Sequence, residues 1–149
     1  EKMGNYFGKP WDLGYAEKED QYLAVEASCM SKHFAQNTIL DMTGSCIYHP
    51  LQMKKLAQIG LIIHLAPDTN HMEQMISQYL AEPKPVCWRG LFEKYDSEGN
   101  EHALKRCYPL LVKNRLALYE RYADVTVPFA INRLGKIDQI MECIQSQLD

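Results

Sequence analysis

The sequence has few of the features that assign a function directly. Its five cysteines include no Cys-x-x-Cys pair and its five histidines show no metal-ligand spacing, so neither a metal site nor a disulfide framework is indicated. A net charge of −3 gives no basic excess for nucleic acid. No apolar run reaches the length of a membrane span, and no signal-peptide pattern is present. We therefore expect a cytoplasmic protein with reduced thiols, and neither nucleic acid nor a membrane as its partner.

A phosphate-binding loop is also lacking. The nearest match, Gly4-Asn5-Tyr6-Phe7-Gly8-Lys9-Pro10, is one residue too short for the motif G-x-x-x-x-G-K-[ST]. Its last residue is Pro10, where the motif needs a hydroxyl that holds magnesium. No strand-like run precedes it, so we do not expect it to bind phosphate.

What the sequence does contain is an alternation of helical and strand-like patterns. With 46% hydrophobic residues in 149, one domain with a substantial core is expected. The periodicity predicts helices over 17–34, 51–58, 69–81, 101–122 and 137–148, and strands over 37–42, 61–65 and 124–128. This order predicts an α/β fold: a doubly wound parallel sheet with helices on both faces, and ligands at the carboxyl ends of its strands. A loop is expected after the last strand, and a kink or restart at Pro109.

The segment 82–100 breaks the alternation. It holds Pro83, Pro85, Gly90 and Gly99 among charged residues and Trp88. A loop of this length is typical of an active-site lid, and the alternative is a plain surface insertion.

Arg115 lies on an apolar stripe. The stripe repeats at three- and four-residue steps through Leu104, Cys107, Leu111, Leu118 and Tyr122. A guanidinium turned toward a core needs an anion to meet it. The pattern therefore indicates either an anion site or an arginine whose stem packs on the core while its head reaches water.

A second candidate is the turn Met42-Thr43-Gly44-Ser45 at the end of the first predicted strand. A glycine there lets backbone N–H groups approach an oxyanion or a hydroxylated ligand. An ordinary strand-to-helix turn has the same pattern.

Taken together, these motifs resemble those of shikimate kinases. Ile39 to Tyr48 is similar to the family's "V-I-A-T-G-G-S-V-V-Y", and Leu61 to Leu65 is similar to its "V-V-Y-L" strand. Arg115 to Asp124 resembles "R-x-P-L-Y-x-x-x-A-D", and Glu1 to Gly4 resembles the end of "I-E-E-K-x-G". The likeness runs in order through nearly all 149 residues.

The resemblance implies a P-loop kinase-like phosphotransferase. Such an enzyme moves the γ-phosphoryl group of ATP, with Mg²⁺, to a hydroxyl of a small carboxylated acid. It implies that Arg115 pairs with the acid's carboxylate and that Thr43, Gly44 and Ser45 lie against the substrate. It also implies a monomer.

The remaining implied contacts concern ATP. Lys84 or Arg89 of the predicted lid would bring positive charge to the phosphates, and Pro128 and Phe129 would contact the nucleotide. No metal ligand is assigned within the sequence.

The sequence departs from the family pattern in several places. The family's first strand, P-loop, first helix and second strand would all precede Glu1, so we expect a fragment that is incomplete at its N-terminus. The P-loop strand would lie between the strands at 37–42 and 61–65, leaving a gap there. Leu23 stands where the family has a second substrate arginine, and Thr43 replaces its first turn glycine. Two alternatives therefore stay open: a non-catalytic kinase-like nucleotide- or metabolite-binding domain, and a structural α/β domain.

Overall fold

The computed structural model describes residues 8–32 and 34–148. The match at Glu1 to Gly4, and most of the rejected phosphate-loop match, lie outside the described residues. Within them the elements are helices α1 (Tyr15–Met30), α2 (Pro50–Ala57), α3 (Thr69–Ala81), α4 (Asn100–Tyr122), α5 (Phe129–Leu134) and α6 (Ile137–Gln145), strands β1 (Ile63–Leu65) and β2 (Val125–Val127), and a 3₁₀ turn at Cys46–Tyr48.

The two strands form a small parallel sheet. Ile63 is in register with Val125, and Leu65 is in register with Val127. Parallel strands need a crossover connection, and here α3 and α4 supply it. The predicted α/β character and the strands near 61–65 and 124–128 are confirmed. The chain is helix-rich, and in the described part the sheet has two strands.

The outer edge of β2 is closed by a side chain. The Gln147 amide accepts a hydrogen bond from the Thr126 backbone N–H at 3.1 Å and donates one to the Thr126 carbonyl at 3.1 Å. A backbone edge satisfied in this way offers nothing to a further strand.

The predicted strand at 37–42 is wrong. These residues are irregular, Asn37 is in the left-handed region with φ of 57°, and the Ile39 side chain is 97% exposed. A strand needs a neighbour to satisfy its backbone, and β1 and β2 are the members of the described sheet. The local apolar run alone therefore does not produce a strand.

The predicted loop after β2 is also wrong in part, because α5 fills it. This helix starts directly after Pro128 and stops at Gly135, whose N–H donates to the Ile131 carbonyl at 3.0 Å. An added Cβ at Gly135 would lie 2.5 Å from that carbonyl oxygen. A glycine therefore suits the end of this helix, because any side chain here would collide with the Ile131 carbonyl.

Two other sequence predictions concern helix boundaries. The helix predicted over 69–81 is confirmed, and Asp68 caps its start because its side chain accepts from the His71 N–H at 2.7 Å. α4 runs without interruption past Pro109, so the helix does not restart there. The lost backbone hydrogen bond is outweighed by a buried stripe that includes Leu104, Cys107 and Leu111.

The buried face of α1 carries two acids. Its buried residues recur at three- and four-residue steps: Tyr15, Glu19, Leu23, Glu26 and Met30. Val25 and Cys29 are apolar but exposed. The helix prediction is confirmed, and the two glutamates lie on its buried face because they find buried partners.

The core consists of two apolar clusters. The first joins α1, α3, α4 and the 86–92 segment around Trp88 and Leu111. The second joins the 3₁₀ turn, α2 and the end of α4 around Ile47 and Met53. Arg115 lies on α4 between Leu111 of the first cluster and Leu118, which packs on the second. Across the described ranges, no helix has both the length and the apolar character required to span a membrane.

Candidate functional site

Arg115 is held by two neutral acceptors. Its Nε donates to the Tyr48 hydroxyl at 3.2 Å, and its Nη2 donates to the Cys87 carbonyl at 2.9 Å. The guanidinium carbon also lies 5.6 Å from the centre of the Tyr48 ring, within cation–π range. These contacts bring the head of Arg115 between the 3₁₀ turn and the 82–100 loop, so it does not simply extend into water.

No carboxylate pairs with this guanidinium among the described residues. The Nη1 group makes no hydrogen bond there, although it lies next to Gly44. Burial acts to lower the pKa of Arg115, but the neighbouring Tyr48, Tyr119 and Cys87 outweigh it and raise the pKa above its ordinary value. The arginine is therefore charged, and Nη1 is its terminal nitrogen without an acceptor in the described hydrogen bonds, with the Tyr119 hydroxyl near it beside Gly44.

The predicted turn residue Gly44 lies against Arg115. A Cβ added at Gly44 would be 3.3 Å from Nη1 of Arg115 and 3.0 Å from the Tyr119 hydroxyl. That hydroxyl donates to the Gly44 carbonyl at 2.7 Å. Burial raises the pKa of Tyr119, against the opposing effect of Arg115. The two motifs predicted to face one site are thus adjacent.

Thr43 and Ser45 are both hydrogen-bonded to Glu26, a buried residue of α1. Both hydroxyls donate to Glu26 Oε1, the bond from Ser45 being 2.6 Å long. The second carboxylate oxygen lies 2.7 Å from Nε2 of His49. Glu26, Ser45 and His49 are buried, whereas Thr43 and Gly44 are exposed. The exposed part of the turn therefore rests on a buried polar network.

A second glutamate of α1 fixes the 82–100 loop. Glu19 Oε1 accepts from the Trp88 N–H, and the Arg89 N–H donates to both Glu19 oxygens at 3.1 and 3.2 Å. Arg89 has a left-handed φ of 50°. Cys87 and Trp88 are each 2% exposed. The segment is irregular, as predicted, and its middle is part of the core.

The predicted lid cations lie away from Arg115. Arg89 Nη1 pairs with Asp20 at 2.9 Å and lies 3.8 Å from Glu19. Lys84 is exposed. Neither shares a hydrogen bond with Arg115 among the described residues. Closure of this loop on nucleotide stays a prediction.

The residues predicted to contact the nucleotide are not in contact with Arg115. Pro128 and Phe129 follow β2 at the carboxyl end of the sheet. The Phe129 ring stacks on His71 with centroids 4.5 Å apart, and the Asn132 amide bridges the carbonyls of Ala66 and Val127 at 3.2 and 2.9 Å. Within the described residues, no hydrogen bond or ring contact connects this end of the sheet to Arg115.

Thiol chemistry is disfavoured near Arg115. Burial raises the pKa of Cys87 to about 12 and that of Cys46 to about 11, so both are neutral thiols at pH 7. His64 packs against Tyr119 with ring centroids 5.4 Å apart, and burial lowers its pKa. In the described part of the chain, no three His, Cys, Asp or Glu residues come together as a metal site.

A cleft of about 460 Å³ lies elsewhere in the described residues, bordered by Trp11, Leu13, Trp88 and Phe92. None of these is a predicted site residue. Arg115 and Gly44 instead lie at a partly exposed surface.

Several residues of the arrangement were not identified from the sequence: Glu19, Glu26, Tyr48, His49 and Tyr119. The signal for the glutamates was available, since both lie on the stripe with Leu23 and Met30. Tyr48 and Tyr119 have no comparable signal, because their neighbours come from distant parts of the chain.

Comparison with known proteins gives no family assignment. Protein-family models, curated proteins and solved structures were each searched, and none matches this chain. The function is therefore inferred from the residues and their geometry.

Proposed function

We propose that this chain is the acceptor-binding part of an ATP-dependent phosphotransferase of the shikimate kinase type. The observation that carries the proposal is the unpaired Nη1 of Arg115 beside Gly44. A charged guanidinium whose Nη1 has no acceptor suits a carboxylate, because a charge-assisted hydrogen bond to an anion is stronger than one to a neutral group. The ligand would be a small hydroxylated carboxylic acid.

The exposed edge of β1 supports the proposal of a larger parallel sheet. Ile62 and Ala66 use their backbone groups to bond to the β2 side, so those of Ile63 and Leu65 point to the opposite edge. The side chains of Ile63 and Leu65 are 40% and 61% exposed. A further strand on this edge would cover them and extend the sheet toward the proposed doubly wound fold.

ATP and Mg²⁺ belong to the proposal through the family resemblance. The described residues do not fit Mg²⁺, because they provide no cluster of metal ligands, and the sequence contains no complete phosphate-loop motif. We therefore derive no step through the metal. The resemblance implies that most of the phosphate and metal ligands belong to the family's P-loop and second strand, while Pro128 and Phe129 would contact the nucleotide.

The role proposed for this chain is positioning. Arg115 would hold the carboxylate while the 43–45 turn lies along the acceptor, fixing the hydroxyl that receives the phosphoryl group. Phosphoryl transfer depends mainly on positioning and charge neutralisation. The first prediction is that Arg115→Ala in the complete protein weakens shikimate binding at least about a hundredfold, roughly 2.7 kcal/mol. Nucleotide affinity should change less than about tenfold, roughly 1.4 kcal/mol.

Calorimetric titration with shikimate and with ATP measures both effects. Arg115→Lys should also bind poorly, because a point charge does not replace the planar fork. Arg121→Ala is the matched control, since Arg121 is an exposed arginine in the last turn of the same helix. If Arg115→Ala binds shikimate as wild type does and only melts earlier, Arg115 is structural and the proposal is wrong.

A non-catalytic binding domain is the second candidate. It is favoured by one observation, the engagement of Arg89 with Glu19 and Asp20 away from Arg115. A complete protein that binds shikimate but transfers no phosphoryl group from ATP would establish this candidate.

A further inference from the structure

The hydroxyl protons of the 43–45 turn are already committed. A hydroxyl has one proton to donate and two lone pairs that accept. Thr43 and Ser45 both donate to Glu26 Oε1. A carboxylate accepts hydrogen bonds and donates none, so it can return no proton to them.

Glu26 is itself fixed in place. Its side chain is buried, and its other oxygen is bonded to His49, which precedes α2. The Tyr22 hydroxyl, one turn earlier on α1, adds a donor to Oε1 at 3.4 Å. Because the carboxylate is held from three sides, it cannot easily move away from the two hydroxyl groups that donate to it.

Thr43 is the member of this network that solvent reaches. Thr43 and Gly44 are exposed, whereas Ser45 is 5% exposed. With its proton directed at Glu26, the Thr43 hydroxyl can only accept a hydrogen bond from a ligand. The neighbouring Gly44 carbonyl is an acceptor too, and Tyr119 already donates to it.

We infer that Glu26 makes the turn a hydrogen-bond acceptor, so that the site selects an acid with a hydroxyl that donates to Thr43. The ligand then meets a donor at one end, Nη1 of Arg115, and an acceptor at the other. Glu26 is a positioning residue in this scheme, because it acts through Thr43 and does not touch the ligand. The inference rests on the proposed function and adds which group of the ligand accepts a hydrogen bond and which group donates one.

The test compares shikimate with three analogues, each carrying fluorine in place of one hydroxyl. Fluorine is close in size to a hydroxyl but donates no hydrogen bond. Wild-type complete protein should bind one analogue about tenfold more weakly than shikimate, the loss expected for one hydrogen bond. In Glu26→Ala the Thr43 hydroxyl can donate as well as accept, so this ratio should fall clearly below its wild-type value. Thr43→Val removes the hydroxyl and should also abolish the ratio.

Two further variants separate this role from a structural one. Glu26→Gln keeps an oxygen toward Thr43 and Ser45 and should retain the discrimination. Val125→Ala, a buried change in β2, should lower stability without changing the ratio. Equal ratios in wild type, Glu26→Ala and Thr43→Val would overturn the inference and leave the proposed function standing. Failure of wild type to bind shikimate or any analogue would overturn the proposed function, and the inference with it.

Discussion

Gly44→Ala is the change that best separates ligand binding from stability. Gly44 is not among the described residues with positive φ, so alanine can adopt its backbone conformation without strain. The added Cβ would lie 3.0 Å from the Tyr119 hydroxyl and 3.3 Å from Nη1 of Arg115. Both neighbours must move by a few tenths of an ångström. Both are flexible side-chain ends, so the backbone need not shift.

The effect on folding is small because two contributions oppose each other. Weakening the 2.7 Å bond from Tyr119 to the Gly44 carbonyl costs about 0.5–1.5 kcal/mol. Replacing glycine by alanine restricts the unfolded chain and stabilises by about 0.4–1 kcal/mol. The free energy of unfolding should therefore change by no more than about 1 kcal/mol. The melting temperature should move by no more than about 2–4 °C.

The effect on binding should be larger. The new methyl group occupies the space in front of Nη1, the nitrogen proposed to bind the carboxylate. We expect shikimate binding by the complete protein to weaken at least about tenfold, or about 1.4 kcal/mol. Urea denaturation gives the stability and calorimetric titration gives the affinity.

Two variants serve as controls for Gly44→Ala. Gly60→Ala adds a methyl group where no atom lies within 4 Å, and it should leave binding unchanged. Adding Tyr119→Phe to Gly44→Ala removes the closest clash, and with it the hydrogen bond to the Gly44 carbonyl, so stability should not recover. Binding should also stay weak, since Nη1 remains covered. The reasoning is refuted if Gly44→Ala binds shikimate as wild type does. It is also refuted if the change costs more than about 3 kcal/mol of stability, beyond any sum of the terms above.

Two further predictions concern stability. Trp88→Ala should lower the free energy of unfolding by about 3–5 kcal/mol in urea denaturation, because Trp88 is 2% exposed; a loss below about 1 kcal/mol would show that the middle of the 82–100 loop is not part of the core. Burial raises the pKa of Cys87 from 9.0 to about 12 and that of Cys46 from 9.0 to about 11, so stability is fully present below pH 9 and falls as the pH rises above it. Each thiol contributes about 1.4 kcal/mol of unfolding free energy per pH unit between its pKa in the unfolded chain and its pKa in the folded protein. The dependence of stability on pH should therefore be weaker in Cys87→Ala. An unchanged dependence would show that the Cys87 pKa is not raised by folding.

The helices could be predicted from the sequence because their signals are local. α3 begins after Asp68, whose side chain caps it, and ends at Ala81 as the periodicity predicts. The stripe on α4 is likewise buried at Leu104, Cys107 and Leu111. Both depend on neighbours within a few turns of one helix, which a pattern of residue types records.

The sheet could be predicted only in part because pairing is not local. The segment 37–42 is as apolar as a strand, yet it is irregular and Ile39 is almost fully exposed. The pattern states which residues suit a strand but not whether a partner strand exists beside them. The same limit applies to the site, where Tyr48 and Cys87 meet Arg115 from 67 and 28 residues away in sequence.

The two buried glutamates near Arg115 bind the segments that contact it and do not pair with Arg115 itself. Glu19 and Glu26 lie seven residues apart on the buried face of α1, and each is bonded to one of the two segments that contact Arg115. Neither glutamate pairs with Arg115: Glu19 binds the backbone N–H groups of Trp88 and Arg89 and lies near the Arg89 guanidinium. Glu26 binds the hydroxyls of the 43–45 turn and His49. The arginine is left with neutral acceptors, which orient it without cancelling its charge. In the proposed function, an incoming carboxylate would meet a preformed positive group and would not have to displace an internal carboxylate from it, since breaking a buried ion pair costs several kcal/mol.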